Sequence, residues 1–192
     1  TEKTWGAVER MGMDEEGRFL AAAKRIEVPF TGLVGSAGVN AVADDNNTRS
    51  KRMGEAMMRD SGLAHCIARP TLMFGWFDPK HLGWLSRFMA KTPVFPVPGH
   101  GRYMRQPLYV LDFCRVLIWC MENRPHGEAF DIVGQEDVTY IDIIRTIKQV
   151  KKLPTLVLTI PVPLFRLRLQ AYGLVSKNPP FVADQLDAPM AG

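Results

Sequence analysis

Leu33-Val34-Gly35-Ser36-Ala37-Gly38 is an apolar run that stops on small residues, and Asn47-Thr48-Arg49-Ser50-Lys51 opens a helix-forming stretch soon after it. Asn47 and Lys51 stand four apart, so on a helix they share one face and act on one space. Working outward, residues 14–27 predict a helix, with Asp14 as a cap, acids in the first turn and bases near the end. Val28 to Ala37 reads as a buried strand and Val39 to Asn46 as a polar loop. Thr48 to Ser61 reads as a helix with Met53, Ala56 and Met57 on one face and Gly62 as its stop. Ala64 to Pro70 reads as a second strand. Helices and strands alternating through short links predict an α/β fold, a Rossmann-like parallel sheet with helices on both faces.

Farther along, the pattern breaks and resumes. Residues 75–106 hold Gly75, Pro79, Gly83, Pro93, Pro96, Pro98, Gly99 and Gly101 around a short helix from Leu82 to Ala90. That density of turn formers predicts an inserted, loop-rich lobe, and 135–192 adds to it. Gln106 to Val110 reads as a strand, Asp112 as the cap of a helix to about Glu122, and Ala129 to Val133 as a strand. Thr139 caps a helix from Tyr140 to Lys151, and Thr155 to Ile160 is a further strand. Leu164 to Lys177 reads as a helix with a narrow polar stripe. Its apolar girth suits packing on its own lobe, or docking on a partner protein or membrane surface.

The totals bound the class. A chain of 192 residues, 46% hydrophobic and 23% charged, buries a sizeable core. Its formal charge of +4 is dispersed and no aromatic–basic motif accompanies it, so a nucleic-acid role is not expected. No apolar run approaches the roughly 20 residues of a membrane span, and the start carries no signal-peptide pattern. Cys66, Cys114 and Cys120 form no Cys-x-x-Cys pair and read as reduced, buried thiols of a cytosol-like compartment. His65, His81, His100 and His126 lack metal-ligand spacing, and no metal site is expected.

Gly32-Leu33-Val34-Gly35-Ser36-Ala37-Gly38 also has the spacing of a dinucleotide phosphate loop. The residues after Gly38 are too polar and turn-prone for the helix such a loop needs, and no ribose-binding acid follows a second strand. The competing reading ends a strand at Gly35-Ser36, with the Ser36 hydroxyl placed to polarise a carbonyl or hydroxyl by hydrogen bonding.

Residues 15–186 resemble the C-terminal two-thirds of an extended or atypical short-chain dehydrogenase/reductase, the NAD(P)-dependent epimerase/dehydratase family. The likeness is carried, in order, by FLAAAKRIEV (19–28), LVGSAGVN (33–40), SKRMGEAMMRDSGL (50–63), IARPTLMFG (67–75), FPVPGHGRYMRQPLYVLDF (95–113) and GEAFDIVGQEDVTYIDII (127–144). Within the superfamily the chain most resembles nucleotide-sugar epimerase-like proteins. The tail from Ile160 to Leu186 is similar to that of the NAD(P)-binding accessory subunit of respiratory complex I.

The resemblance implies roles. NAD or NADP is the cofactor and a sugar nucleotide or related alcohol the small-molecule substrate. Ser36 and Lys51 are the retained catalytic positions, and both also contact the cofactor, Lys51 through the nicotinamide ribose. Arg69, Pro70 and Thr71 close over the nicotinamide end. Arg105 and Gln106 face the substrate. Asn47 stands where the family's enzymes place an acid/base Tyr, and no Tyr precedes Tyr103. Asn transfers no proton near neutral pH. The family's N-terminal βαβ unit, with the seat for the pyrophosphate, is not recognisable here. Either it precedes Thr1 in a longer protein, which the lack of an initiator Met favours, or the chain does not hold a dinucleotide tightly. Two functions follow: an NAD(P)-dependent oxidoreductase or epimerase, or a non-catalytic NAD(P)-binding accessory subunit of a larger assembly. The expected location is the cytoplasm or the inner face of an energy-transducing membrane.

Overall fold

The computed structural model describes residues 2–40, 46–78 and 81–164, with side chains for 14–40, 48–78 and 81–164. In chain order the elements are α1 (Glu2–Arg25), β1 (Thr31–Val34), a 3-10 turn (Ala37–Asn40), α2 (Asn46–Asp60), β2 (His65–Pro70), β3 (Met73–Phe74), α3 (Leu82–Lys91) and β4 (Val94–Pro98). Then come β5 (Met104–Arg105), β6 (Leu108–Tyr109), α4 (Val110–Asn123), β7 (Ala129–Ile132), β8 (Val138–Thr139), α5 (Tyr140–Val150) and β9 (Leu156–Ile160). The chain divides into two compact units, residues 1–73 with 108–134 and residues 74–107 with 135–192.

The first unit is an α/β layer built on a parallel sheet of order β1-β2-β7. Thr31 pairs with His65 and Val34 with Ala68, while Ile67 pairs with Ala129 and Pro70 with Ile132. The central strand β2 is buried throughout except at Arg69, with Cys66, Ile67 and Ala68 each 1% exposed. Burial on both faces is why its middle, Cys66-Ile67-Ala68, is apolar without alternation. On one side α4 supplies Phe113, Val116, Leu117 and Cys120, spaced to line one helix face, to two small clusters around Cys66 and Ala68. Burial pushes the Cys66 thiol up to about 12, and the neighbouring Cys120 adds to the rise. Cys114 was expected to be buried; it lies off that packed face of α4 and is exposed.

Helix α1 begins well before Asp14, which lies inside it, and stops two residues before the expected Glu27. Glu27 adopts φ of 51°, and Val28 N–H donates to the Ala23 carbonyl, a left-handed stop that satisfies the last carbonyls. Gly62, at φ of 72°, ends α2 as expected, with Ser61 Oγ donating to the Met58 carbonyl. Asp112 was read as a cap. Tyr109 holds the N-cap position of α4, and Asp112 lies in the first turn, where it accepts a 2.6 Å bond from Arg115.

The second unit is organised around Leu85, Met89, Phe95, Val97, Ile141 and Ile144, contributed by α3, β4 and α5. Thr139 caps α5 as read, accepting from the Asp142 N–H. Of the proline-rich run at 93–98, read as turns, Val94–Pro98 is instead a strand that pairs in parallel with β9. The Gly99 N–H donates to the Ile160 carbonyl, so odd positions face β9 while Val94, Pro96 and Pro98 turn their nitrogens away. A strand with one neighbour tolerates proline at those alternate positions. The Thr155 hydroxyl, 1% exposed, donates to the Met89 carbonyl at 2.6 Å and ties the start of β9 to α3. Thr155→Val is therefore expected to cost about 1–2 kcal/mol, measured by urea denaturation.

No helix among the described residues is long and apolar enough to cross a membrane. The expected helix from Leu164 to Lys177 lies outside the described residues beyond Leu164.

Candidate functional site

In the first unit, the C-terminal ends of β1 and β2 and the first turns of α2 carry most of the residues singled out above. Gly35 continues the ladder past β1, its N–H donating to the Ala68 carbonyl at 2.8 Å. Ser36 follows, half-buried, and its Oγ accepts from the Gly38 N–H at 3.2 Å. An accepting hydroxyl keeps its own proton for donation. The next residues form the 3-10 turn, whose Val39 carbonyl accepts from Arg52 Nε at 3.0 Å. That bond ties the segment after Ser36 to the turn of α2 that carries Lys51. Lys51 is half-buried and makes no hydrogen bond or ion pair among the described residues. Asn47 occupies α2 one turn before it; its side chain is outside the described residues.

One turn beyond Lys51 on the same face is Glu55, 2% exposed, which the sequence reading passed over. Both of its oxygens are forked by Arg69, Nε to Oε1 at 2.8 Å and NH2 to Oε2 at 2.6 Å, and Arg59 adds a 3.1 Å bond. Burial alone would raise the Glu55 pKa. Hydrogen bonding and charge from Arg69, with help from Arg59, outweigh it and hold the carboxyl below its ordinary value. Arg69 also lies 3.6 Å from Asp131 Oδ1, and Asn40 Nδ2 donates to Asp131 Oδ2 at 2.9 Å. Arg69, expected over the nicotinamide end, thus has its guanidinium on Glu55 and Asp131. Pro70 is buried, and the Thr71 N–H donates to the Ile132 carbonyl at 3.0 Å. A signal for Glu55 existed: an arginine inside an apolar strand needs a buried partner.

The same ion pair explains a glycine. A Cβ on Gly35 would lie 2.9 Å from Glu55 Oε1 and 3.3 Å from Arg69 Cγ. Likewise a Cβ on Gly32 would meet Met121 and one on Gly38 would meet Ser36 Oγ, each at 3.3 Å. The glycine spacing is thus filled by protein atoms rather than opened as a phosphate cradle.

Arg105 and Gln106 belong to the second unit. Strand β5 pairs antiparallel with β8, setting Arg105 opposite Val138. The Arg105 guanidinium sits over the Tyr103 ring, 5.0 Å from its centroid, and NH1 donates to the Met104 carbonyl at 2.8 Å. Tyr103 in turn stacks on Tyr140, centroids 5.0 Å apart and planes 20° from parallel. Burial, then the neighbouring phenol, raises the Tyr103 pKa, and Arg105 pulls it back in part. Burial also lifts Tyr140 to about 12, against a smaller opposing pull from Arg105. Gln106 is half-buried.

Residues 48–133 match the model of the NAD dependent epimerase/dehydratase family. Over these residues the chain is similar to that family. The matched segment holds Lys51, Glu55, Arg69, Pro70, Thr71, Arg105 and Gln106, and Ser36 lies ahead of it. Solved structures share the fold. A UDP-glucuronic acid 4-epimerase from Bacillus cereus in complex with NAD aligns at TM-score 0.66 and 17% identity, covering 76% of this chain and 54% of that one. A dTDP-glucose 4,6-dehydratase double mutant from Streptomyces venezuelae with NAD bound aligns at 0.69 and 17%, covering 80% and 54%. The RMD protein of Pseudomonas aeruginosa complexed with NADPH aligns at 0.58 and 15%, covering 69% and 55%. The chain spans about half the length of these structures.

Proposed function

We propose that this family segment serves an NAD(P)-dependent oxidoreductase or epimerase acting on a nucleotide sugar or related alcohol. The observation that carries the reading is the strand end with Ser36 tied to a helix that presents Lys51, at the edge of and within the matched segment. Ser36 keeps a donor proton, and Lys51 has no partner among the described residues. Both suit the ribose and reacting end of a nicotinamide dinucleotide. The described glycines offer no seat for its pyrophosphate. The cofactor, when bound, accepts and returns a hydride at a substrate carbinol carbon. Lys51 would hold the ribose, Ser36 would orient the substrate oxygen, and Pro70 and Thr71 would border the nicotinamide end. Arg105 and Gln106 would hold the substrate.

A second reading is favoured by Asn47. A helix that keeps the ribose-binding Lys but not the acid/base Tyr suits a non-catalytic NAD(P)-binding accessory or structural subunit, such as one of a respiratory complex I-like assembly. In that role the apolar segment from Leu164 to Lys177 would dock a partner protein or a membrane surface.

Titration of the protein with NADH and NADPH, followed by a hydride-exchange assay with nucleotide sugars, separates the two. The enzyme reading expects binding that Lys51→Ala weakens about tenfold or more, and turnover that Asn47→Tyr raises. Tight binding without turnover, unchanged by Asn47→Tyr, would leave the accessory role. Failure to bind either dinucleotide would remove both.

A further inference from the structure

Arg105 is a half-buried cation with few protein partners. A guanidinium carries five N–H donors in a rigid fork. Among the described residues, Arg105 uses one hydrogen bond, to the carbonyl of its own neighbour Met104, and no carboxylate pairs with it. Arg69 shows the contrast: its donors are taken up by Glu55 and Asp131. What holds Arg105 in place is the ring beneath it. Tyr103 offers its face to the guanidinium, and its other contact is the stack on Tyr140. The backbone locks this platform. The Tyr140 N–H donates to the Tyr103 carbonyl at 3.1 Å, the Ile141 N–H to the Gly101 carbonyl at 2.9 Å, and β5 pairs with β8 between them. Gly101, at φ of 62°, makes the turn into the platform, where a Cβ would lie 2.8 Å from Val97 Cγ1.

A ring under a long, flexible cation reduces the freedom the cation loses when it grips a ligand, and an arginine stacked on a ring still aims its edge donors outward. Two oxygens of a diphosphate match that fork. We propose that Tyr103, backed by Tyr140, is a positioning residue that pre-sets Arg105 to bind the diphosphate of the nucleotide substrate. The proposal rests on the reading that Arg105 faces substrate. It assigns the ring a role through Arg105 and none through the phenol hydroxyl.

The test is binding of UDP to the whole chain, by calorimetry, for wild type, Arg105→Ala, Tyr103→Leu and Tyr103→Phe. Near-UV circular dichroism checks each fold, and Tyr103→Met replaces Tyr103→Leu if the latter does not fold. The expected result is a severe loss for Arg105→Ala, a weakening of about three- to tenfold for Tyr103→Leu, and affinity within about twofold of wild type for Tyr103→Phe. In an Arg105→Ala background, Tyr103→Leu should add nothing, which a merely structural ring would not satisfy. Wild-type affinity in Tyr103→Leu, with binding still lost in Arg105→Ala, overturns the positioning role and leaves the substrate reading intact. Absence of UDP binding, or binding indifferent to Arg105→Ala, overturns the substrate reading and this proposal with it.

Discussion

Glu55→Ala is expected to destabilise the first unit by about 3–5 kcal/mol, because it strands a guanidinium rather than merely deleting a contact. Glu55 is 2% exposed and the Arg69 side chain 14% exposed, so neither charge can turn to water without moving α2 away from β2. With the carboxylate gone, Arg69 keeps only the 3.6 Å approach to Asp131, whose side chain is itself 46% exposed. Glu55→Gln keeps the shape and one acceptor and should cost less. Replacing both partners by apolar residues, Glu55→Leu with Arg69→Met, should cost less than Glu55→Ala alone, since the penalty lies in the unpaired charge. The pH dependence follows from the lowered Glu55 pKa. Its stabilisation is present above the ordinary value of 4.5 and is lost as pH falls through the lower folded-state value. Urea denaturation at neutral pH and through the acid range should show wild-type stability falling in that window and Glu55→Gln losing that component. A Glu55→Ala cost below about 1 kcal/mol would mean that water reaches Arg69 and that the pair is only a surface bridge.

The elements best read from sequence are those whose cause is local. Gly62 stops α2 because the next turn needs a left-handed residue, and Thr139 caps α5 because its hydroxyl accepts an N–H three residues on. The stretch from Ala64 to Pro70 was legible as a strand, and β2 fills it. What failed depends on partners distant in the chain. Pro96 and Pro98 read as turn formers, and only the one-sided pairing with β9, far along the sequence, makes them strand residues. Asp112 looked like a cap because a cap and a first-turn acid are spelled alike. At the site, the spacing around Ser36 and Lys51 was legible, since a strand end and a helix face are local facts. Glu55 was not, because its importance comes from Arg69 on another element. The ring under Arg105 was equally hidden, because Tyr140 comes to Tyr103 through the pairing of β5 with β8.

Gly83→Ala is expected to cost about 3–5 kcal/mol in the second unit, at the upper end of what overpacking produces. Gly83 is the second residue of α3, and a Cβ there would lie 2.0 Å from the Asp78 carbonyl oxygen. The obstacle is backbone, so no side-chain rotation relieves it. Nor can the Asp78 peptide simply withdraw. Its carboxylate accepts from the His81 N–H through Oδ1 and from the Gly83 N–H through Oδ2, each at 2.8 Å, and Arg87 donates to its carbonyl. These bonds satisfy donors at the start of α3 that have no partner within the helix, while the His81 side chain supplies no cap. Making room for the methyl therefore unfastens the cap as well as displacing the chain. The damage reaches the core, because α3 sets Leu85 and Met89 against Phe95 and Ile144. Asp78→Ala alone removes the cap without the clash and should cost about 1–2 kcal/mol. The double variant should cost less than the sum, since a peptide already released from the helix start yields more easily to the methyl. Urea denaturation followed by circular dichroism measures all three. A Gly83→Ala chain as stable as wild type would show that the Asp78 carbonyl has another place to go.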